Sequence, residues 1–368
     1  MDKKTYLYID DENDTKVESL VESINRHGNV IIKKFDSMLF ADFVIWIQEN
    51  RDNCHGILLD LILNEKKNSK DEISEYTAPV AAQYLRTLAT DGKIKDLPIV
   101  LCSTDDRLEK LYTNDLTSHN LFDMRFKKDD TDYYELISKE LNSLAIGYEN
   151  ILELKDIDKI LNIDISNLNE KILARFLTEK TIPEHEKAQF ILKELIFKTG
   201  PLIDEYVLAS RLGIDIGKSK DWESLKEKLA SAKYSGVFHE GWDRWWMFEV
   251  NNIFKSFSGQ NLSYLDAKER VGLLKEHMKL NELYDYIPDE KKFCYSSRYW
   301  TVNINDRSPL DPSEGFRIAT QVEPKSWQEY HYLSPFDALE RIGIEKGYQV
   351  HKMDEDKLVY LQEELEEE

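Results

Sequence analysis

The first 147 residues predict an α/β fold, a doubly wound five-stranded parallel sheet, followed by a mainly helical and then an α+β C-terminal region. Three observations carry this. Five short runs, at 5–9, 30–32, 56–61, 97–102 and 124–126, read as strands, and the one at 56–61 lacks the alternation of a half-wet strand, as strands buried on both faces do. Stretches of helical periodicity separate them. One run, Gly56-Ile57-Leu58-Leu59-Asp60-Leu61, meets a carboxylate where open α/β sheets hold their ligands.

In order, Thr5-Tyr6-Leu7-Tyr8-Ile9 reads as a strand that ends in Asp10-Asp11-Glu12. Val17, Leu20, Val21 and Ile24 share one helical face, and Gly28 supplies the stop. Val30-Ile31-Ile32 is a second strand, and Phe40, Phe43, Val44, Trp46 and Ile47 mark a second helix. After the Gly56 strand comes a polar loop over 64–76. A helix over 78–88 follows, with Val80, Tyr84 and Leu88 on its apolar side. Residues 97–102 form a fourth strand, with Ser103-Thr104 at its end, and a short helix spans about 107–112. Met124-Arg125-Phe126 is the fifth strand, ending in Lys127-Lys128, and a helix from Tyr133 closes the unit. This alternation is the signature of a doubly wound parallel sheet.

A chain of 368 residues exceeds one ordinary core. We expect a first domain over 1–147, a helical domain with an aromatic-rich segment over 148–290, and a small α+β region with an acidic tail over 291–368. No run is long and apolar enough for a membrane span, and residues 1–4 lead straight into a strand without a signal-peptide core. Cys54, Cys102 and Cys294 are odd in number and lack metal-ligand spacing, which fits reduced thiols in a cytoplasmic protein. The net charge is −21. Residues 1–150 hold 19 Lys+Arg and 29 Asp+Glu, so both halves are acidic. Such a chain lacks the cationic surplus that drives non-specific affinity for phosphate backbones, which argues against nucleic acid as the main partner.

The strand ends bring chemistry together. Asp10 and Asp11, Asp60, Ser103 and Lys127 all fall on the same carboxyl edge of the expected sheet. Two carboxylates 4 Å apart repel by roughly 4 kcal/mol at an effective dielectric of 20. A divalent cation removes that cost, and Mg²⁺ favours one or two carboxylates with phosphate oxygens and water. An aspartate beside it can attack a phosphoryl group, with a hydroxyl and an ammonium as partners for the product.

On these residues, the stretch 5–145 resembles the receiver domain of two-component response regulators, a flavodoxin-like fold. The resemblance implies that Asp60 is the phosphoacceptor, that Asp10 and Asp11 join Asp60 in a Mg²⁺ site, and that Ser103 and Lys127 are the switch hydroxyl and the phosphate-pairing lysine. It departs from the family in having Lys128 where a proline usually follows the lysine, and a longer loop without the familiar proline after Asp60. Divergent receivers of this kind resemble those fused to effector or sensor modules in bacterial conflict systems.

From Tyr148 the pattern turns helical, with Gly200-Pro201 as a break. Leu208 to Ile214 has the look of the first half of a helix-turn-helix, but no basic recognition helix follows. Residues 234–254 hold Trp242, Trp245 and Trp246, either a packed aromatic core or a recognition surface with Arg244 between rings. His239-Glu240 lacks the second histidine of a zinc motif. Short strands are expected around 299–302, 316–319 and 347–351. Asp311 with Glu323-Pro324-Lys325 mimics the acids and lysine of a metal-dependent nuclease, although Pro324 would disturb the central strand such a site needs.

The leading expectation is a signalling protein that takes a phosphoryl group on Asp60 from a cognate kinase or other phosphodonor. It then alters contacts with an effector protein or with its own C-terminal region. The alternatives are an inert receiver-like scaffold and a nuclease in the C-terminal half.

Overall fold

In the computed structural model, β1 (Lys4–Asp10), β2 (Val30–Asp36), β3 (Gly56–Leu59), β4 (Ile99–Ser103) and β5 (Met124–Lys127) form one sheet. The order is β2-β1-β3-β4-β5, with every pairing parallel. The structure describes residues 3–12, 15–104, 107, 118–179, 181–340 and 347–367. Parallel neighbours need crossovers. These include α1 (Thr15–Arg26), α2 (Phe40–Asn50) and α3 (Ala78–Thr90), and α4 (Tyr134–Leu154) follows β5. Apart from Arg107, the helix expected over 107–112 lies outside the described residues. The chain runs outward from β1 to β2 and then returns to β3 on the other side of β1. The strand order therefore reverses between β1 and β3, which opens a crevice beyond their carboxyl ends.

Burial on both faces explains the unalternating run at 56–61. Every residue of β3 and β4 is buried, and Leu7, Ile9, Ile57, Leu59, Ile99 and Leu101 join one core with Phe43, Ile47, Leu85 and Leu88. Gly56 is required by a close approach, because a Cβ there would lie 2.1 Å from the ring of its neighbour Tyr6.

Two compact units divide the chain, residues 1–194 with 235–242, and 195–234 with 243–368. This differs from the expected boundaries at 147 and 290, since α4 runs unbroken through 147. A helical extension, α5 (Ile157–Leu161), α6 (Glu170–Thr178) and α7 (Glu184–Gln189), stays with the first unit. The excursion 235–242 joins it too. Gly147 makes room for Phe238, whose ring a Cβ would meet at 2.1 Å, and Val237 N donates to the Ile160 carbonyl at 2.9 Å.

A buried ionic network ties the extension to the sheet. Arg86 on α3 reaches Asp96 at 2.9 Å and Asp123 at 2.8 Å. Tyr148 Oη donates to Asp123 Oδ1 at 2.7 Å, and His185 N donates to Asp96 Oδ2 at 2.8 Å. Burial draws the Arg86 guanidinium down, but Tyr148, Asp123 and Asp96 outweigh it and hold its pKa above the ordinary value.

The second unit is α+β. It contains α8 (Glu205–Leu212), α9 (Trp222–Lys228), α10 (Met247–Ser258) and α11 (Ala267–Met278), and, beyond the paired strands below, α12 (Pro335–Leu339) and α13 (Glu355–Glu367). Its strands are two-residue antiparallel pairs, to which the strands expected around 299–302 and 316–319 shrink. They are β6 (Leu202–Ile203) with β7 (Trp245–Trp246), β8 (Thr301–Val302) with β9 (Pro309–Leu310), and β10 (Phe316–Arg317) with β11 (Tyr332–Leu333). The strand expected at 347–351 is a single bridge between Val350 and Ile318. Arg270 compensates for this scarcity of sheet by donating to the carbonyls of Leu262, Arg211 and Tyr299 from full burial.

The aromatic-rich segment is core. Tyr234, Trp245 and Trp246 are all buried, and Arg244 Nε donates to the Ile196 carbonyl at 2.7 Å. In α8, residues Val207 to Leu212 are buried, so the helix-turn-helix look of this string reflects a core helix ending at Gly213. Among the described residues, no helix is long and apolar enough to cross a membrane.

Candidate functional site

The register of the sheet builds the site. Ile9 pairs with Leu59, which brings the next residues, Asp10 and Asp60, level at the ends of β1 and β3. Asp11 follows directly, and Ser103 closes β4. All four are buried, Asp10, Asp60 and Ser103 completely. Asp10, Asp11 and Asp60 each offer one oxygen within 4.8 Å of the others. Among the described residues this is the one group of three or more acids, histidines or cysteines arranged to hold a metal ion.

The cation of the site is Lys128, which corrects the expectation of Lys127. Lys128 Nζ lies 2.8 Å from Asp10 Oδ2, 3.0 Å from Asp60 Oδ1 and 3.8 Å from Glu12. Lys127 is exposed. The cause is strand parity. Phe126 is buried, so Lys127 turns outward and Lys128 turns back to the inner side. Lys128 N continues the ladder by donating to the Ser103 carbonyl at 3.0 Å.

Each carboxylate has a different set of partners. Asp10 Oδ1 accepts from Glu12 N at 2.8 Å, and Oδ2 accepts from the Tyr8 hydroxyl on the same strand. Asp11 Oδ2 accepts from the backbone N–H groups of Glu65 at 2.9 Å and Lys66 at 2.8 Å. The polar loop after Asp60 is thereby fixed to the end of β1. Asp60 Oδ2 faces Arg107 Nη1 at 3.5 Å, and the same guanidinium bonds Glu65 at 2.7 Å. Glu12, Glu65 and Arg107 belong to the site and were not singled out from the sequence. They come from three separate parts of the chain, and no spacing encodes their meeting.

Burial pushes the Asp60 carboxyl up to about 6, against the pull of Lys128 and with a further push from Asp10. Burial draws the Lys128 ammonium down, but Asp60 and Asp10 outweigh it and hold its pKa above the ordinary value. Two buried atoms of the site, Asp60 Oδ1 and Ser103 Oγ, lack a hydrogen-bond partner of full geometry among the described residues, although the Lys128 ammonium and the Ser103 hydroxyl both draw the Asp60 pKa down from beside it. The ammonium near Oδ1 is close in charge but not in hydrogen-bond geometry. An unsatisfied buried polar atom costs about 1–3 kcal/mol, so this pair marks a place that gains from an added ligand. An all-oxygen donor set with two such orphans fits a hard divalent cation and an oxyanion. A cavity of about 840 Å³ runs along α1 and shares Glu12, Thr104 and Lys128 with the cluster.

The acids of the second unit are engaged elsewhere. Asp311 accepts from Ser296 Oγ at 2.5 Å and Ser313 Oγ at 2.7 Å. Glu323 accepts from Tyr330 Oη at 2.6 Å and sits 3.1 Å from His351 Nε2. Among the described residues, the expected nuclease-like trio of Asp311, Glu323 and Lys325 builds no metal-holding group of acids.

No protein-family model and no curated protein matches the chain. Similar solved structures include a response regulator receiver domain protein from Clostridium thermocellum. It shares 11% identity and a TM-score of 0.28, over 40% of this chain and 98% of the other. The RcsB response regulator of Salmonella typhimurium shares 13% identity and a TM-score of 0.25, over 50% of this chain and 98% of its own. The strand order and the strand-end acids of residues 4–154 themselves describe a divergent receiver-like domain.

Proposed function

We propose that the receiver-like domain is a phosphorylation-controlled switch, in which Asp60 accepts a phosphoryl group with the aid of Mg²⁺ and the modified domain controls a protein–protein interaction. The observation that supports this most is the convergence of Asp10, Asp11 and Asp60 on one edge, with Lys128 at 3.0 Å and the Ser103 hydroxyl beside Asp60. Asp10, Asp11 and Asp60 would hold the cation, whose chemistry is to neutralise the carboxylates and the incoming phosphoryl oxygens.

The chain's own groups carry the rest. A carboxylate oxygen of Asp60 attacks phosphorus, and the bond from phosphorus to the donor's leaving group breaks with its electron pair. Lys128, already paired with Asp60, follows the new negative charge. Ser103 Oγ, which stands beside Asp60, turns its hydrogen bond to a phosphoryl oxygen. The product adds nearly two negative charges to a buried edge, enough to reorder the loops that follow β3 and β4. The phosphodonor would be a cognate kinase or a small acyl phosphate, and the responder an effector protein or the second unit.

One observation favours a second reading, an inert scaffold. Lys128 and Arg107 already supply two positive charges to Asp60, so the edge is partly compensated without metal. Incubation with a small phosphodonor and Mg²⁺ separates the two. The switch gives an adduct labile to base and hydroxylamine and absent from Asp60→Ala. The scaffold gives none, and no response to beryllofluoride.

A further inference from the structure

Arg107 is the cation of the site that faces both the buried Asp60 and the acids around it. Its guanidinium stands among three carboxylates, Asp60 at 3.5 Å, Glu65 at 2.7 Å and Glu12 at 4.0 Å. The two arms do different work. Nη1 faces the fully buried Asp60, while Nη2 makes the short contact to the half-exposed Glu65. A planar fork of this kind can release one carboxylate and keep the other. Asp60 therefore has a cation on each oxygen, Lys128 on Oδ1 and Arg107 on Oδ2.

We propose that Arg107 is a built-in competitor of the divalent cation at Asp60, with Glu65 as the partner that retains it once Asp60 is taken. This rests on the reading above that Asp10, Asp11 and Asp60 hold such a cation. Like charges cannot share the Asp60 carboxylate closely, so the arriving ion and the Nη1 arm exclude one another. The long arm to Asp60 is the one given up, and the short arm to Glu65 persists. Glu65 makes the exchange consequential. Its backbone N–H is held by Asp11, another of the three metal-site acids, so one loop senses both sides of the cluster. Metal arrival at Asp60 thus shifts the guanidinium toward Glu65 on the loop after β3.

Titration of the full chain with Mg²⁺ by calorimetry tests this in the wild type, Arg107→Gln and Glu65→Gln, with Asp60→Asn as the control for the site. Arg107→Gln is expected to bind Mg²⁺ about tenfold more tightly, because one like charge has left the site. Glu65→Gln is expected to bind more weakly, because the guanidinium then has Asp60 as its main anchor. These opposite signs would not arise from general loosening, and thermal melts of each variant check folding. Equal or weaker binding by Arg107→Gln overturns the competitor while the metal site stands. Binding by Arg107→Gln alone supports it most strongly. No binding by any variant overturns both the competitor and the metal site.

Discussion

The Lys128 ammonium lies 3.0 Å from Asp60 Oδ1, while the side chain of Lys127, one residue earlier, is exposed. Two adjacent lysines therefore have unlike consequences when lost. Lys128→Met leaves Asp60 and Asp10 buried without their shared cation, and breaking a buried pair in this way costs about 3–5 kcal/mol. Lys127→Gln changes stability by about 0.5 kcal/mol or less, as exposed substitutions do. Urea unfolding of both variants checks the assignment, and a larger loss for Lys127→Gln would reverse it.

Stability should carry the mark of Asp60. Its folded pKa is about 6, above the unfolded value of about 3.9. The folded chain binds this proton more tightly, so the contribution of Asp60 to stability falls as pH rises from about 4 to about 6 and stays low above that. Asp60→Asn removes the effect. Without divalent metal, its stability relative to wild type should rise through that window, by at most about 2–3 kcal/mol at pH 7. Unfolding measured with chelator at pH 4, 5.5 and 7.5 checks it, and a difference independent of pH would count against a buried, proton-binding Asp60.

Arg86 holds the other end of the sheet. It bonds Asp96 and Asp123 from full burial and donates to the carbonyls of Leu97 and Leu121. Arg86→Met strands two buried carboxylates, and we expect a loss of about 3 kcal/mol or more. Arg86→Lys restores little, since an ammonium cannot span both acids as the fork does. A loss below about 1 kcal/mol in chemical denaturation would show that the network is dispensable.

The sheet was legible because its strands are short, the central ones are buried on both faces, and periodic helices separate them. Asp10, Asp60 and Ser103 were legible as strand-end residues, since a strand's last position fixes where a side chain emerges. The lysine was misplaced by one residue. The alternation from the buried Phe126 would have pointed to Lys128, but a strand of four residues gives that parity little weight beside two adjacent lysines. Arg107 and Glu65 meet across 42 positions, a separation that no local periodicity spans. The same holds for the helical extension. Its membership of the first unit is decided by Arg86, Asp96 and His185, whose pairing has no local trace in the sequence.

The central claim is that Asp60 becomes an acyl phosphate, and reductive trapping addresses it most directly. The chain is treated with a small phosphodonor and Mg²⁺, reduced with borohydride, digested and sequenced by mass spectrometry. An aspartyl phosphate is reduced to homoserine at the modified position. Homoserine is expected at residue 60, dependent on Mg²⁺ and lost in Lys128→Met. Homoserine at another acid, or unmodified Asp60 under conditions that phosphorylate a control receiver, would contradict it.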